Sequence, residues 1–295
     1  MSALELQNLT KYYGEDLGIE GLTFDVAEGE TFGFLGPNGA GKTTTMRLLL
    51  GLIWPTRGTA TVLGRNIADG PPVRERVGYL PGTLRLYENL TGQEFLNLFA
   101  RLRQRDCAKQ IKALSSRFDL DLSRHIHDLS KGNRQKLGVV QAFMHEPDLL
   151  LLDEPTSGLD PLVQREFAEL VRETTARGGT LLLSSHVMSE VELLTDRVAI
   201  LNLGRLVLVE HISELKARAV RTVELEFPAP VDSSKFENLQ SVREVTTHRN
   251  RMMCKVSGSE NELLRLAVDN NVQMVITHEP DLNEIFLGLI STGAA

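Results

Sequence analysis

A glycine-rich segment near the N-terminus has the residue types and spacing of a phosphate-binding loop. It reads Gly36-Pro-Asn-Gly-Ala-Gly-Lys-Thr43, follows an apolar run and precedes a helical stretch. The glycines let successive backbone N–H groups point inward, and the N-terminus of the helix adds a partial positive charge. Lys42 would bridge the terminal phosphates, and the Thr43 hydroxyl would bind Mg²⁺. The pattern predicts binding of a nucleoside triphosphate by Gly36, Pro37, Asn38, Gly39, Ala40, Gly41, Lys42, Thr43 and Thr44.

Two adjacent carboxylates and a histidine follow two further apolar runs. Asp153 and Glu154 come directly after residues 149–152, and His186 follows residues 180–185. One carboxylate can hold Mg²⁺ while the second polarises an attacking water, so the pair suits hydrolysis. The alternative interpretation of the acids is a solvated turn. His186 could hydrogen-bond a terminal phosphate, or it could be a structural histidine at the end of a strand.

Three continuously apolar runs must position these residues. They are residues 31–35, 149–152 and 180–183, and amphipathic stretches alternate with such runs up to about residue 218. This alternation is typical of βαβ units, in which a mostly parallel sheet is covered on both faces. Ligands of open parallel sheets lie beyond the carboxyl ends of the strands. We therefore expect the polar residues to converge at one edge of one sheet.

Two other regions depart from this pattern. Residues 87–128 predict a helical insertion, with an apolar stripe at helical spacing formed by Phe95, Leu98, Phe99 and Leu102. Residues 221–295 predict a small α+β domain with strands at 223–227, 251–256 and 272–276 and a helix at 263–268. A final helix is expected from Pro280 and Asp281 onward, with its stripe formed by Leu282, Ile285, Phe286 and Leu289.

Composition excludes several classes of partner. The chain has 32 basic and 39 acidic residues and a formal charge of −7. Proteins that bind nucleic acid usually carry a basic face, so no nucleic-acid partner is expected. No apolar stretch approaches the ~20 residues of a membrane-spanning helix, and the first residues lack a secretory signal, so we expect a cytoplasmic protein. Cys107 and Cys254 are expected to be reduced structural thiols.

Taken in order and spacing, four motifs resemble those of the nucleotide-binding subunit of an ATP-binding-cassette (ABC) transporter. They are GPNGAGKTT (36–44), LSKGNRQKL (129–137), LLLLDEPTSGLDP (149–161) and LLLSSH (181–186). The resemblance covers residues 3–217. It implies an α/β fold, a P-loop NTPase cassette over residues 1–220. Such a cassette has a mostly parallel central sheet, an antiparallel β region near the N-terminus and a helical insertion.

The resemblance also implies roles for individual residues. Two cassettes, the second being another copy or a related subunit, would enclose two ATP molecules and their Mg²⁺. Ser130 and Gly132 would contact the γ-phosphate held by the other subunit, although Ser130 alone looks like a plain helix cap. Asp160 would lie in the loop that communicates between the two sites. The other implied roles are Tyr13 against adenine, Thr43 and Asp153 at the metal, and Glu154, His186 and Lys42 in catalysis.

Two positions depart from the family pattern. The common signature LSGGQ is altered by Lys131 and Asn133, in a form that resembles the branch of drug, sodium and antibiotic exporters. Gly82 stands where the family has a glutamine that touches Mg²⁺ or the attacking water. We assign no other glutamine to the metal site and expect water to fill the place.

The resemblance implies an ATPase subunit, peripheral on the cytoplasmic face of the cell membrane, that energises a separate multi-span permease for export. The permease would dock against the helical insertion and the loop around Gly82. The small C-terminal domain would stabilise the dimer, regulate the permease or serve only as a packing appendage. Two alternatives stay open: a soluble ABC-type ATPase acting on ribosomes or DNA, and a binding module for which nucleotide is only a switch.

Overall fold

The computed structural model describes residues 1–69, 74–218, 220–278 and 285–286. The chain divides into two compact units, Met1–Glu210 and a second that begins at His211. The division thus falls before the expected boundary at residue 220. Of the predicted final helix, only Ile285 and Phe286 are described, and both are helical. The residues Pro280, Asp281, Leu282 and Leu289 lie outside the described residues.

The first unit alternates strands and helices after an N-terminal pair of long strands. No helix among the described residues is long and apolar enough to span a membrane. The elements in chain order are β1 (Ser2–Tyr13), β2 (Asp16–Ala27), β3 (Thr31–Leu35), α1 (Lys42–Leu49), β4 (Arg57–Val62), β5 (Arg65–Asn66), β6 (Val77–Leu80), α2 (Gly92–Leu102), α3 (Ala108–Arg117), α4 (Lys131–Phe143), β7 (Leu149–Asp153), α5 (Pro161–Ala176), β8 (Thr180–Ser185), α6 (Met188–Leu194), β9 (Arg197–Asn202) and β10 (Arg205–His211).

Two sheets form the frame of this unit. The antiparallel sheet has the order β2-β1-β4-β5, and the central sheet has the order β10-β9-β3-β8-β7-β6. The neighbours from β9 to β6 pair in parallel. Every residue of β3, β7 and β8 is buried, as their uninterrupted apolar sequences predict. The expected α/β fold, with its mostly parallel sheet and an antiparallel region near the N-terminus, is confirmed.

An apolar core joins the two sheets. It includes Leu4 and Ile19 from the antiparallel sheet, Met46 from α1, and Phe34 and Leu151 from the central sheet. Burial of this much apolar surface is the main favourable term that fixes the strand ends in place. The core therefore holds the carboxyl ends of β3, β7 and β8 at one edge.

The insertion contains helices α2 and α3. The start of α2 is fixed by a capping box, in which Thr91 and Glu94 each bond the backbone N–H of the other. Phe95 is buried and packs on Phe99, with ring centroids 4.8 Å apart. Leu102, expected in the apolar stripe, is exposed. It is the last residue of α2, where the helix ends.

The second unit is a split βαβ arrangement. It begins with the helix α7 (Ile212–Arg218), and its later elements are β11 (Arg221–Glu226), α8 (Ser234–Glu237), β12 (Val242–His248), β13 (Arg251–Val256), α9 (Asn261–Asp269) and β14 (Met274–His278). The strands pair antiparallel in the order β12-β13-β11-β14, which is the ferredoxin-like order. Buried side chains of α9, such as Leu263, pack on Val223 and Leu225.

Cys107 in the first unit and Cys254 in the second are both buried and free.

Candidate functional site

The glycine-rich loop joins β3 to α1 and folds around its own lysine. Gly41 has φ of +104°, and a Cβ there would lie 2.4 Å from Cγ2 of Ile19, so only glycine fits. A Cβ at Gly36 would meet the Leu201 carbonyl oxygen at 2.6 Å. Lys42 is buried, and its Nζ donates to the carbonyl oxygens of Gly36 at 2.6 Å and of Pro37 at 3.1 Å. The loop is thus a preformed cradle with a cation inside.

The ammonium of Lys42 is held in an environment that disfavours charge. Burial lowers the pKa of Lys42, and the carboxylates of Glu154 and Asp153 oppose that shift. Its Nζ lies 3.9 Å from Oε1 of Glu154. A phosphate entering the cradle would add negative charge directly beside this partly desolvated cation.

Asp153 is the buried carboxylate of the site, with 2% of its surface exposed. Its Oδ2 accepts from Oγ1 of Thr43 at 2.6 Å, and its Oδ1 accepts from Oγ of Ser184 at 2.5 Å. Within the described ranges, no cluster of three or more histidine, cysteine or acidic residues could hold a metal. A hydroxyl and a carboxylate side by side fit Mg²⁺, which takes few protein ligands and keeps waters or phosphate oxygens for the rest.

Glu154 has a left-handed backbone, with φ of +50°. This conformation is uncommon for a non-glycine residue and costs free energy. The Glu154 N–H donates to the carbonyl oxygen of Ser184 at 3.2 Å and to Oγ of the same residue at 3.1 Å. Oε1 of Glu154 lies 3.0 Å from Nδ1 of His186, whose side chain is 49% exposed. The strained turn therefore directs the carboxylate toward both Lys42 and His186.

A cavity of about 420 Å³ opens at this edge of the central sheet. The loop from Asn38 to Thr44 lines it, together with Asp153 and Glu154. Tyr13 lies at its rim, 44% exposed, with the Lys11 Nζ 5.3 Å from the ring centroid. Tyr12 instead donates its hydroxyl to Oε1 of Glu20 at 3.1 Å. Of the two tyrosines, Tyr13 is the one placed to contact a ligand.

Sequence reasoning missed three polar residues of the cavity, Arg47 on α1, Tyr79 on β6 and Thr83. Burial, with a further contribution from the Asp153 carboxylate, raises the pKa of Tyr79 to about 12. The available signals were the position of Arg47 one turn after Thr43 on the same helix, and the position of Tyr79 near the end of a strand at the same edge.

Gly82 lies directly beside the buried carboxylate. A Cβ at this position would be 3.1 Å from Oδ2 of Asp153 and 3.2 Å from its Cγ. Such contacts are tighter than ordinary van der Waals contact, so any side chain at position 82 requires Asp153 to move by a few tenths of an ångström. The glycine also lines the cavity.

Six of the predicted residues do not line this cavity in the described part of the chain. Three of them, Gly36, Pro37 and His186, contact Lys42 or Glu154, which do line it, and the other three lie elsewhere. Ser130 caps α4, its Oγ accepting from the Asn133 N–H at 3.2 Å. Asp160 caps α5, its Oδ1 accepting from the N–H groups at positions 162 and 163, both at 3.0 Å. Gly132 lies against the loop before α5, where its Cβ would be 3.1 Å from the Gly158 carbonyl oxygen. The N-terminus of α4 therefore lies against the loop that precedes α5.

Comparison with known proteins identifies the family. The family model "ABC transporter" matches residues 19–157. An uncharacterised ABC transporter ATP-binding protein of Nostoc is 43% identical over 206 residues, which cover 68% of this chain and 61% of that protein. The Nod factor export ATP-binding protein I of Paraburkholderia xenovorans is 34% identical over 297 residues, which cover 98% of this chain and 97% of the relative.

A solved structure agrees with these relatives. The ATP-binding subunit of an ABC transporter superposes with a TM-score of 0.69 at 36% identity, covering 73% of this chain and 92% of that subunit. The fold of the first unit is therefore that of an ABC ATPase cassette. The chain belongs to the ABC transporter family, as one of its ATP-binding proteins.

Proposed function

We propose that this chain hydrolyses MgATP in the cavity of its first unit and thereby energises a separate multi-span membrane permease for export. The observation that carries the proposal is the meeting of the buried Lys42 with Asp153 and Glu154 at one sheet edge, where Nζ of Lys42 is 3.9 Å from Oε1 of Glu154. A cation in a phosphate cradle beside two carboxylates suits phosphoryl transfer to water.

The triphosphate would lie along the loop. Backbone N–H groups from Gly39 to Thr44 and the N-terminus of α1 attract the phosphate oxygens, and Lys42 neutralises charge on the terminal phosphates. The ring of Tyr13 lies at the cavity rim, where it would stack on the adenine. The family comparisons support nucleotide at this place, whereas the contact of Tyr13 with the base is our proposal.

Thr43 and Asp153 would hold Mg²⁺. When bound, the metal ion supplies positive charge against the phosphate oxygens. The hydroxyl of Thr43 and the carboxylate of Asp153 are already in contact, and Ser184 fixes the second carboxylate oxygen. The chain's own residues therefore offer oriented oxygen ligands before any ligand enters.

Glu154 would act as the base. It orients a water whose oxygen attacks the γ-phosphorus while the bond to the bridging oxygen breaks, and ADP leaves. The carboxylate accepts the proton released by the water. His186 holds that carboxylate through its contact of 3.0 Å with Oε1, which restricts the rotamers of Glu154. This contact is also the argument against a pure nucleotide switch, because such a module needs no oriented base.

A second cassette would complete each site. Ser130 and Gly132 lie at the N-terminus of α4, away from the cavity of their own chain. In a dimer they would bind the γ-phosphate held by the other subunit, either another copy or a related one. Asp160, at the start of α5, would lie in the connecting loop. The named exporter relative supports export as the direction.

Membrane retention tests the transport part of the proposal. The tagged chain is expressed with and without its genetic neighbours, among which we expect the multi-span protein, and the membrane and ribosome fractions are separated. We expect the chain at the cytoplasmic face of the membrane only when the multi-span protein is present. Sedimentation with ribosomes in both cases would contradict transport and favour a soluble ABC-type ATPase.

A further inference from the structure

Gln135 is a buried polar side chain that the proposed mechanism does not use. It lies one turn into α4 and is 8% exposed. Its Nε2 donates to the Pro155 carbonyl oxygen at 2.8 Å and lies 3.4 Å from the carbonyl oxygen of Glu154. The side chain therefore joins the helix that Ser130 caps to the backbone directly after the proposed base.

The contact falls where the backbone is under strain. Glu154 is held at φ of +50°, a conformation that persists only when surrounding groups fix it. Ser184 fixes the N-terminal side of the residue by accepting its N–H. On its C-terminal side, the Ser157 N–H donates to the Glu154 carbonyl at 3.2 Å, and the Gln135 side chain reaches this carbonyl and the next.

The helix that carries Gln135 is a firm support. Leu137, Val139 and Val140 are fully buried. A Cβ at Gly138 would lie 2.7 Å from Cδ1 of Leu80, so the helix packs closely against β6. A donor mounted on such a helix holds its acceptor at a fixed place relative to the sheet.

We propose that Gln135 is a positioning residue for hydrolysis: it fixes the turn after Glu154 and so aims the carboxylate at the cavity. A shift of α4, whose N-terminus carries Ser130 and Gly132, would thereby move the Glu154 carboxylate. This inference rests on the proposed role of Glu154. Displacement of a reacting group by about 1 Å can cost up to about 100-fold in rate, so a single supporting bond can matter.

Gln135→Met tests the inference because methionine keeps the length of the side chain and removes the donor. We expect kcat for ATP hydrolysis to fall about tenfold with KM for ATP within about twofold of the wild type. Gln135→Asn keeps the amide but shortens the side chain by one methylene, and we expect the same direction. Gln164→Met is the matched control, because Gln164 donates at 3.2 Å to the Leu159 carbonyl of the same loop without touching Glu154.

A double-variant cycle separates positioning from general loosening. In the Glu154→Gln background the residual rate no longer depends on the carboxylate, so adding Gln135→Met should leave it unchanged. Equal loss of kcat in Gln135→Met and Gln164→Met, or a further loss in the double variant, would overturn the inference. If the wild-type protein does not hydrolyse ATP, the proposed function fails; if it does and Gln135→Met keeps the wild-type kcat, only this inference fails.

Discussion

The hydroxyl of Thr43 donates a hydrogen bond of 2.6 Å to Oδ2 of Asp153, although the two residues are 110 positions apart in the chain. Thr43 is the second residue of α1, and Asp153 is the last residue of β7. The parallel pairing through β3, β8 and β7 brings these two ends together, since β8 lies between the other two strands. The proposed metal site is therefore a product of the strand order.

This contact predicts a change in magnesium requirement. Thr43→Val removes the hydroxyl at nearly constant volume, and it leaves Oδ2 of Asp153 without that donor. We expect the Mg²⁺ concentration for half-maximal ATP hydrolysis to rise about tenfold, as for lost oriented ligands at other metal sites. Thr43→Ser keeps the hydroxyl and is the control. Equal Mg²⁺ requirements for the two variants would remove Thr43 from the metal site.

The central strands and the cradle could be predicted because they depend on local patterns. Continuous apolar runs indicate buried parallel strands, and the carboxyl ends of such strands meet at one edge. Arg47, Tyr79 and Gln135 could not be placed in this way. Whether a side chain on a helix or strand points into a cavity depends on how that element is rotated against its neighbours, which only tertiary packing decides.

The second unit shows a related limit of predicting strands from the sequence. Strand β12 was not predicted, because most of its residues are exposed and only Val242 is buried. The predicted strand at 272–276 starts two positions early: Val272 packs against the core, whereas β14 begins at Met274. Apolar residues at a strand end indicate burial but do not fix where the ladder of hydrogen bonds begins.

Replacing Gly82 with glutamine would restore the side chain that the family usually has at this position. We expect Gly82→Gln to leave basal hydrolysis unchanged or to raise it, because the amide can take the place of a water beside the metal. Gly82→Ala is the matched control, since it adds the Cβ that crowds Asp153 without the amide. Its rate should fall by roughly twofold. A large fall in the initial ATPase rate of Gly82→Gln would contradict the prediction.

Because His145 is buried, we predict that the folded protein loses stability in acid. It is 4% exposed, its Nδ1 has no hydrogen-bond partner among the described residues, and burial beside Arg103 lowers its pKa to about 4. An unfolded histidine titrates near 6.5. Between pH 6.5 and 4, His145 is therefore protonated in the unfolded chain and neutral in the folded chain. The contribution of neutral His145 to the free energy of unfolding is up to about 3 kcal/mol. It is fully present above about pH 6.5 and is lost as the pH falls to 4.

His145→Gln checks this prediction, because glutamine does not titrate and can still donate to the nearby Val77 carbonyl. The thermal midpoint of the wild type should fall more steeply between pH 7 and 5 than that of the variant. His127→Gln is the control, since His127 is exposed and its ring stacks on His125. Parallel curves for the wild type and His145→Gln would show that His145 does not carry this acid sensitivity.

The ATPase rate of Glu154→Gln tests the central claim most directly. The variant keeps the shape of the side chain and removes the base, so we expect it to bind ATP as the wild type does and to form an ATP-dependent dimer on gel filtration. Its turnover should fall by at least about 100-fold, the usual effect of removing a general base. Glu169→Gln, which alters an exposed glutamate paired with Arg172, should keep the wild-type rate. Hydrolysis by Glu154→Gln at the wild-type rate would contradict the account.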